Sequence, residues 1–396
     1  MHRVVRALWC AALCLAVVAC GSSAATPTST PPPSPTDTAS PTPTPVSTPT
    51  PLPTSPPRGI YLLYATEWLD GDTGKQQIEV SAIRTDGTDK RVIGALAWPA
   101  SVWTEDPNPD QISVVWAHDG QDLHMVTYTV TGSPADNCTP TLTNVHLNPS
   151  IYAKVPASLT NHDDHFIWSP DDSKIAFSRW LGKSACDQSG GAGGDKIDVV
   201  MMDMHGQNER VVAHNTTCVP ERWTSGGAAL VCYFASGQAG LMNPATGAVT
   251  KIGPAHPDSA WVSPDGKRVA YVASGHLRIV DATGSGAVDL GDMTRYASVG
   301  PLEWSPDSSA IAVGLHDGDS NDGVVVFRPP SARATTVYST DDLVSSPGPA
   351  TIAWSPDSKR LAFGLYPGDA TIAMADGSHS DPIGGTPGLS VWSWQP

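Results

Sequence analysis

A ten-residue segment that returns along the chain constrains the fold more than any other feature of the sequence. Its clearest copy is WSPDSKRLAF at residues 354–363. Three close copies, two degraded copies and one truncated copy begin at Trp168, Val262, Trp304, Trp116, Trp223 and Trp394. The copies are separated by about 40 to 55 residues, a period typical of repeat architectures such as propellers.

The segment has the chemistry of a β-hairpin. Ser-Pro-Asp followed by Gly or Ser favours a tight turn, because Pro fixes φ and the Asp side chain accepts hydrogen bonds from backbone N–H groups. Apolar residues at 351–354 and 360–363 flank the turn as two strands. A second hairpin signal, Asp-Gly or His-Gly between apolar runs, follows several copies. Each repeat therefore predicts four short strands, which make one propeller blade with the Trp packed between sheets.

The two ends of the chain together supply the strands of one hairpin repeat. Residues 59–65 read as the strand that normally follows the WSPD turn, and 389–394 match the strand that precedes it. Pairing them would close a ring and remove the open sheet edges that invite aggregation. The fold class is thus predicted to be all-β, a seven-bladed β-propeller at residues 58–396 closed by its N- and C-terminal strands.

The WSPD hairpin, followed by a strand, an Asp-Gly turn and another strand, resembles the TolB-like family of WD-repeat-like propellers. The resemblance covers roughly residues 59–396. It implies a propeller lipoprotein that works through protein–protein contacts in the bacterial cell envelope. Such blades also occur in lyases and as non-catalytic domains of serine peptidases, so the likeness does not fix a function.

Residues 1–19 are interpreted as a secretory signal, with a basic start, an apolar run and small residues before Cys20. The sequence Val17-Val18-Ala19-Cys20 resembles the bacterial lipobox, in which the Cys is lipidated after cleavage. Cys20 is therefore the predicted lipid attachment site, and several acyl chains would anchor the protein stably in the membrane. The alternative is an ordinary cleaved signal with an incidental Cys20.

Residues 20–57 combine the lipidated Cys with a linker of Pro, Thr, Ser and Ala. This composition has nothing to bury and favours extended conformations, so it predicts a disordered spacer. A Pro-rich ligand for a partner domain and a glycosylated stalk are alternatives. The predicted location of the propeller is the extracytoplasmic side of the bacterial cell membrane, whether periplasmic or extracellular.

The charge of the chain excludes some partners. The formal net charge is −16, and such a surface repels phosphate backbones and anionic lipid headgroups. We therefore expect no nucleic-acid partner, and contact with the membrane only through the lipid at Cys20.

The motif search favours binding over catalysis. The sequence contains no Gly-x-Ser-x-Gly nucleophile elbow and no Gly-rich phosphate loop, so no catalytic residue and no cofactor are predicted. The segment His162–His165 (HDDH) has metal-ligand types, and Asp317 to Asp322 resembles the start of a calcium loop. A polar loop and an acidic turn are the preferred readings of these two segments, and no metal site is predicted.

Four cysteines remain in the propeller: Cys138, Cys186, Cys218 and Cys232. An even number in an oxidising compartment favours disulfides. We expect Cys218 to pair with Cys232 across the Trp223 hairpin, and Cys138 with Cys186 between loops of neighbouring blades. Free buried thiols are the alternative.

Partner binding is expected on the face with the longer connections, at 94–111, 138–165 and 180–195, because long loops on a rigid scaffold carry most binding sites. The aromatic residues outside the repeat positions, Trp98, Trp103 and Trp180, are the predicted interface anchors. The sequence thus predicts a monomeric, anchored propeller that binds an envelope protein of unknown identity. The alternative is a carbohydrate-active enzyme or a glycan-binding propeller with its site at the channel mouth.

Overall fold

The protein is a β-propeller with seven blades. The computed structural model describes residues 61–70, 75–99, 112–130, 138–147, 150–182, 196–316, 322–340, 351–364, 370–384 and 390–396. Within these ranges the chain forms seven antiparallel sheets of four strands each. No helix long and apolar enough to cross a membrane occurs in them.

Blades 1 to 3 contain the longest strands. Blade 1 consists of β28 (Ser390–Trp394), β1 (Tyr61–Asp70), β2 (Lys75–Arg84) and β3 (Arg91–Pro99). Blade 2 consists of β4 (Ile112–Trp116), β5 (Asp122–Val130), β6 (Cys138–Leu147) and β7 (Ser150–Lys154). Blade 3 consists of β8 (Asp163–Trp168), β9 (Lys174–Trp180), β10 (Ile197–Asp203) and β11 (Arg210–Thr216).

Blades 4 to 7 follow the same order from the innermost to the outermost strand. Blade 4 consists of β12 (Val219–Trp223), β13 (Leu230–Tyr233), β14 (Ala239–Met242) and β15 (Val249–Ile252). Blade 5 consists of β16 (Ser259–Val262), β17 (Arg268–Ala273), β18 (His276–Asp281) and β19 (Val288–Asp292). Blade 6 consists of β20 (Ser298–Trp304), β21 (Ile311–His316), β22 (Asp322–Phe327) and β23 (Ala334–Thr340). Blade 7 consists of β24 (Ile352–Trp354), β25 (Arg360–Gly364), β26 (Ala370–Met374) and β27 (Ser380–Ile383).

The ring is closed by the last strand, as the sequence predicted. Strand β28 pairs antiparallel with β1, with Leu62 opposite Trp394 and Ala65 opposite Ser390. It also contacts β24 and β4, the innermost strands of the two neighbouring blades. Blade 1 therefore takes its innermost strand from the C-terminal end of the chain.

The WSPD turns form as their residue types require. Ser355 donates from Oγ to Asp357 at 2.7 Å, and Asp357 accepts the backbone N–H of Lys359 at 3.1 Å. Ser358 has a φ of 58°, in the left-handed region where small residues and Gly cost least. The same Ser-to-Asp bond begins the turns at Ser169, Ser263 and Ser305. This local network explains why the motif returns in four blades.

The repeated Trp side chains connect neighbouring blades. The Nε1 atoms of Trp304, Trp354 and Trp394 each donate to a main-chain carbonyl in the preceding blade. In each case the acceptor lies one residue before the position that corresponds to the Trp in that blade. Trp116 and Trp223 are also buried, but their Nε1 atoms have no hydrogen-bond partner among the described residues. These hydrogen bonds therefore connect blade 5 to blade 6, blade 6 to blade 7, and blade 7 to blade 1.

The expectation that residues 138–165 form a long loop is wrong. This stretch contains β6, β7 and the start of β8. Leu142 and Val145 of β6 are buried, and blade 2 is built without a WSPD turn. The stretch 94–99, predicted as the start of another loop, belongs to β3, which pairs with β2 along its whole length.

Candidate functional site

The innermost strands bring three charged side chains together at the central channel. Glu221 and Arg222 lie on β12 of blade 4, and Glu303 lies on β20 of blade 6. Because these strands surround the axis of the ring, the Glu303 side chain lies in the channel, where solvent can reach it although the protein walls surround it on all sides. The residues at the same repeat position in blades 2, 3 and 7 are Val115, Ile167 and Ala353. At this repeat position, the charged residues among those described are therefore Arg222 and Glu303, in blades 4 and 6.

The channel wall changes the acidity of Glu303. Desolvation by the surrounding protein raises its pKa to about 7, the positive charge of Arg222 opposes this shift, and the negative charge of Glu221 adds to it. Tyr233, on β13, accepts a hydrogen bond on its hydroxyl from the backbone N–H of Val262 at 3.1 Å. Burial raises the pKa of Tyr233 to about 12. A carboxyl that titrates near neutral pH can donate or accept a proton, which is what acid–base chemistry requires.

The segment His162–His165 is held by structural contacts. Asp163 is fully buried and receives hydrogen bonds from Arg179 Nε at 2.6 Å and from the backbone N–H of Thr160 at 2.7 Å. Arg179 also binds Glu209 at 2.8 Å, and its pKa is raised chiefly by the bond to Asp163. In the part of the chain that the structure describes, no group of three or more His, Cys, Asp or Glu side chains could hold a metal ion.

The residues of the possible calcium loop fall almost entirely outside the described part of the chain. Positions 317–321 are not described, and Asp322 begins β22.

Three exposed apolar side chains lie on the outermost strands of blades 1 and 2. Val92 on β3 is 53% exposed, and Ile151 and Tyr152 on β7 are 54% and 52% exposed. The Tyr152 hydroxyl donates to the carbonyl of Ile93 at 2.8 Å, so its ring extends from blade 2 to blade 1. We call Val92, Ile151 and Tyr152 the rim patch. No pattern in the sequence indicates this patch, because the exposure of Ile151 and Tyr152 follows from the place of β7 as the outermost strand of blade 2.

The three predicted anchors have different positions. Trp98 lies in β3, opposite Gln76 of β2, and not in the loop where the sequence analysis placed it. Trp180 ends β9, packs partly buried against the core between blades 3 and 4, and lies 6.4 Å from His165 between ring centroids. Trp103 lies outside the described residues. The two described anchors, Trp98 and Trp180, therefore lie on different blades, blade 1 and blade 3.

The cysteines also divide between described and undescribed parts. Cys218 and Cys232 form a buried disulfide between the start of blade 4 and β13, with their Cα atoms 5.3 Å apart. Gly240 packs against both sulfurs, and a Cβ there would lie 3.1 Å from Sγ of Cys218. Cys138 begins β6, whereas its expected partner Cys186 and Cys20, the predicted lipid attachment site, lie outside the described residues.

No protein-family profile matches this sequence, and no curated protein matches it. Solved structures do share its fold. A structure from a study of two prolyl endopeptidases is 11% identical, with a TM-score of 0.51, over 85% of this chain and 50% of that one. The chain thus spans half the length of that protein.

Two further solved structures are similar. An oligogalacturonate lyase in complex with manganese is 13% identical over 82% of this chain and 85% of that one, with a TM-score of 0.49. A putative TolB from Agrobacterium tumefaciens is 17% identical over 68% of this chain and 91% of that one, with a TM-score of 0.42. The likeness to the prolyl endopeptidase structure, at 11% identity, shows the fold alone.

Proposed function

We propose that this chain is an exported, membrane-anchored lipoprotein whose β-propeller serves as a protein–protein interaction module in the bacterial cell envelope. A signal at residues 1–19, a lipidated Cys20 and a spacer up to residue 57 would hold the propeller at a distance from the membrane. This arrangement suits a protein that must meet a partner at a fixed place. The net charge of −16 argues against a nucleic-acid partner.

The rim patch is the observation that carries this proposal. Of the four large hydrophobic side chains that are exposed among the described residues, three belong to it. Exposed large apolar side chains on the outermost strands of two neighbouring blades can form part of an interaction surface. Strand β7 is also the outermost strand of blade 2, so its free edge can pair with a strand of the partner. The proposed partner is therefore a protein that presents an apolar extended segment.

Crosslinking on intact cells tests the interface. A photoreactive amino acid placed at Ile151 should capture a discrete partner, whereas one at Thr250, on the outermost strand of blade 4, should not. Both positions are exposed on outer strands, so the pair separates a specific contact from random collision. Equal capture at both positions, or capture at neither, would contradict the proposed interface.

The anchor is tested separately. Wild-type protein should partition into the detergent phase, and Cys20→Ala should be released from the membrane or left uncleaved. Normally processed wild-type protein that stays in the aqueous phase would exclude the lipid anchor.

The channel supports a second candidate function, a carbohydrate-active enzyme or a glycan-binding propeller. Its basis is Glu303, a carboxyl in the channel with a pKa raised to about 7 by desolvation, which suits a general acid or base. Glu303→Gln should abolish turnover of an oligosaccharide while leaving partner capture at the rim patch unchanged. Turnover that survives in Glu303→Gln would remove this candidate.

A further inference from the structure

A groove lies beside the outer turn of blade 6. Its volume is about 510 Å³, within the range of about 300 to 1,000 Å³ that holds a small molecule. The residues that line it are Arg328, Ser331, Arg333, Ala334, Thr335 and Thr336. We call this set the arginine groove. It consists of the turn between β22 and β23 together with the first residues of β23.

The outer turn of blade 7 supports the groove from one side. The Arg328 guanidinium donates to the carbonyl of Ala375 in blade 7 at 2.9 Å. Gly377, in the outer turn of blade 7, packs so closely on β23 that a Cβ there would lie 2.5 Å from the carbonyl oxygen of Thr336. Within the groove, Ser331 Oγ accepts the backbone N–H of Arg333 at 3.1 Å. The lining itself therefore belongs to blade 6, and the outer turn of blade 7 packs against it.

The arginine groove is basic in a strongly acidic protein. The chain carries 39 Asp and Glu residues against 23 Lys and Arg, yet neither Arg328 nor Arg333 forms an ion pair within the described residues. The nearby carboxyl of Asp376 is engaged by Ser378, whose hydrogen bonds lower its pKa, with a smaller contribution from the charge of Arg328. Two guanidinium groups thus remain available to a ligand.

We propose that the arginine groove binds a small molecule that carries an oxyanion, such as a phosphate or a carboxylate. Guanidinium groups donate paired hydrogen bonds that match the geometry of both anions. The hydroxyls of Ser331, Thr335 and Thr336 line the same space and add neutral donors. The site goes beyond the proposed function, because it lies on blade 6 and the rim patch belongs to blades 1 and 2.

Titration of the purified full chain tests the site. Inorganic phosphate and glucuronate are the two soluble probes. The binding of each is measured by calorimetry at low ionic strength and again with added salt. At least one of them should bind saturably, and the double variant Arg328→Ala/Arg333→Ala should weaken that binding tenfold or more, the loss typical for removing charged hydrogen bonds. Arg295→Ala is the matched control, since Arg295 is an exposed arginine that stacks on Tyr296, away from the groove.

Vesicles of phosphatidylglycerol, tested beside vesicles of phosphatidylcholine, distinguish a lipid headgroup from a soluble ligand. Binding of phosphatidylglycerol that depends on Arg328 and Arg333 supports the site and assigns it to the membrane surface. If neither soluble probe nor vesicle binds, or if Arg295→Ala weakens binding as much as the double variant does, the proposal is overturned. Unchanged melting temperatures of the variants exclude misfolding as the cause of any loss.

Discussion

The side-chain amide of Gln395 donates a 2.7 Å hydrogen bond to the main-chain carbonyl of Gly120, which lies 275 residues earlier in the chain. The backbone N–H of Gln395 also donates to the carbonyl of Tyr61 at 2.9 Å. Gln395 is 1% exposed. One buried residue near the C-terminal end of the sequence therefore connects blade 1 to the turn of blade 2.

We predict that Gln395→Ala destabilises the ring. The substitution removes the partner of the Gly120 carbonyl and leaves that buried group unpaired, which costs about 1 to 3 kcal/mol. Urea denaturation should detect the loss as a lower midpoint with an unchanged slope. Gln207→Ala is the control, because Gln207 is exposed on an outer turn. Equal midpoints for Gln395→Ala and the wild type would contradict a role in closure.

Removal of the whole closing strand should have a larger effect. Deletion of residues 389–396 removes β28, its pairing with β1 and the buried Trp394. Loss of a buried Trp alone costs about 3 to 5 kcal/mol, a large part of the stability of a typical domain. We expect the truncated protein to melt far lower or to aggregate. A melting temperature equal to that of the full chain would argue against closure by β28.

The Trp side chains permit a matched comparison. Trp354 and Trp223 are 7% and 8% exposed, but Nε1 of Trp354 donates to the carbonyl of Glu303 at 3.0 Å, and that of Trp223 has no partner among the described residues. Trp354→Phe should therefore cost about 0.5 to 1.5 kcal/mol more than Trp223→Phe, the net value of one hydrogen bond. Chemical denaturation of both variants measures this difference. Equal losses would mean that the bond between blades adds nothing to stability.

The fold could be predicted from the sequence because its signal is local. The turn at Ser355 requires Ser, Asp and a residue that tolerates a positive φ, all within four positions. Each of these features can be read directly from the sequence. Closure by β28 was predictable for the same reason, since its pattern repeats that of the strand before each WSPD turn.

The candidate sites depend on how the blades are arranged in the ring, so they cannot be read from local sequence patterns. Arg222 and Glu303 come from blades 4 and 6, and only the curvature of the propeller brings their charges into one channel. The exposure of Tyr152 follows from the outermost place of β7, in a blade that lacks the motif. The arginine groove depends on the outer turn of blade 7, which packs against the blade 6 turn that lines it.

The disulfide should contribute to stability. Cys218 and Cys232 are 14 residues apart, and closing a loop of about 15 residues is worth about 3 kcal/mol in the chain-entropy model. The double variant Cys218→Ala/Cys232→Ala should therefore lower the free energy of unfolding by about 3 kcal/mol. Reductant should lower the free energy of unfolding of the wild type by a similar amount and leave that of the double variant unchanged. Mass mapping of unreduced peptides from exported protein that finds both thiols free would refute the pairing.

Glu303 should make stability depend on pH. Its pKa is raised from 4.5 to about 7 by desolvation, so between these values the folded state binds more protons than the unfolded state. The free energy of unfolding should therefore fall as pH rises through this window, and become independent of this group above it. Because Glu303→Gln cannot ionise, the variant should match the wild type near about pH 4.5 and exceed its stability near about pH 8.

Two neighbouring substitutions identify the cause of this pH dependence. Glu221→Gln removes a negative charge that raises the pKa of Glu303, and Arg222→Gln removes a positive charge that lowers it. The window should consequently shift to lower pH in Glu221→Gln and to higher pH in Arg222→Gln. Urea denaturation across the pH series measures all four proteins. Parallel curves for the wild type and Glu303→Gln would mean that Glu303 titrates as an ordinary carboxyl, and would also remove the basis for acid–base chemistry in the channel.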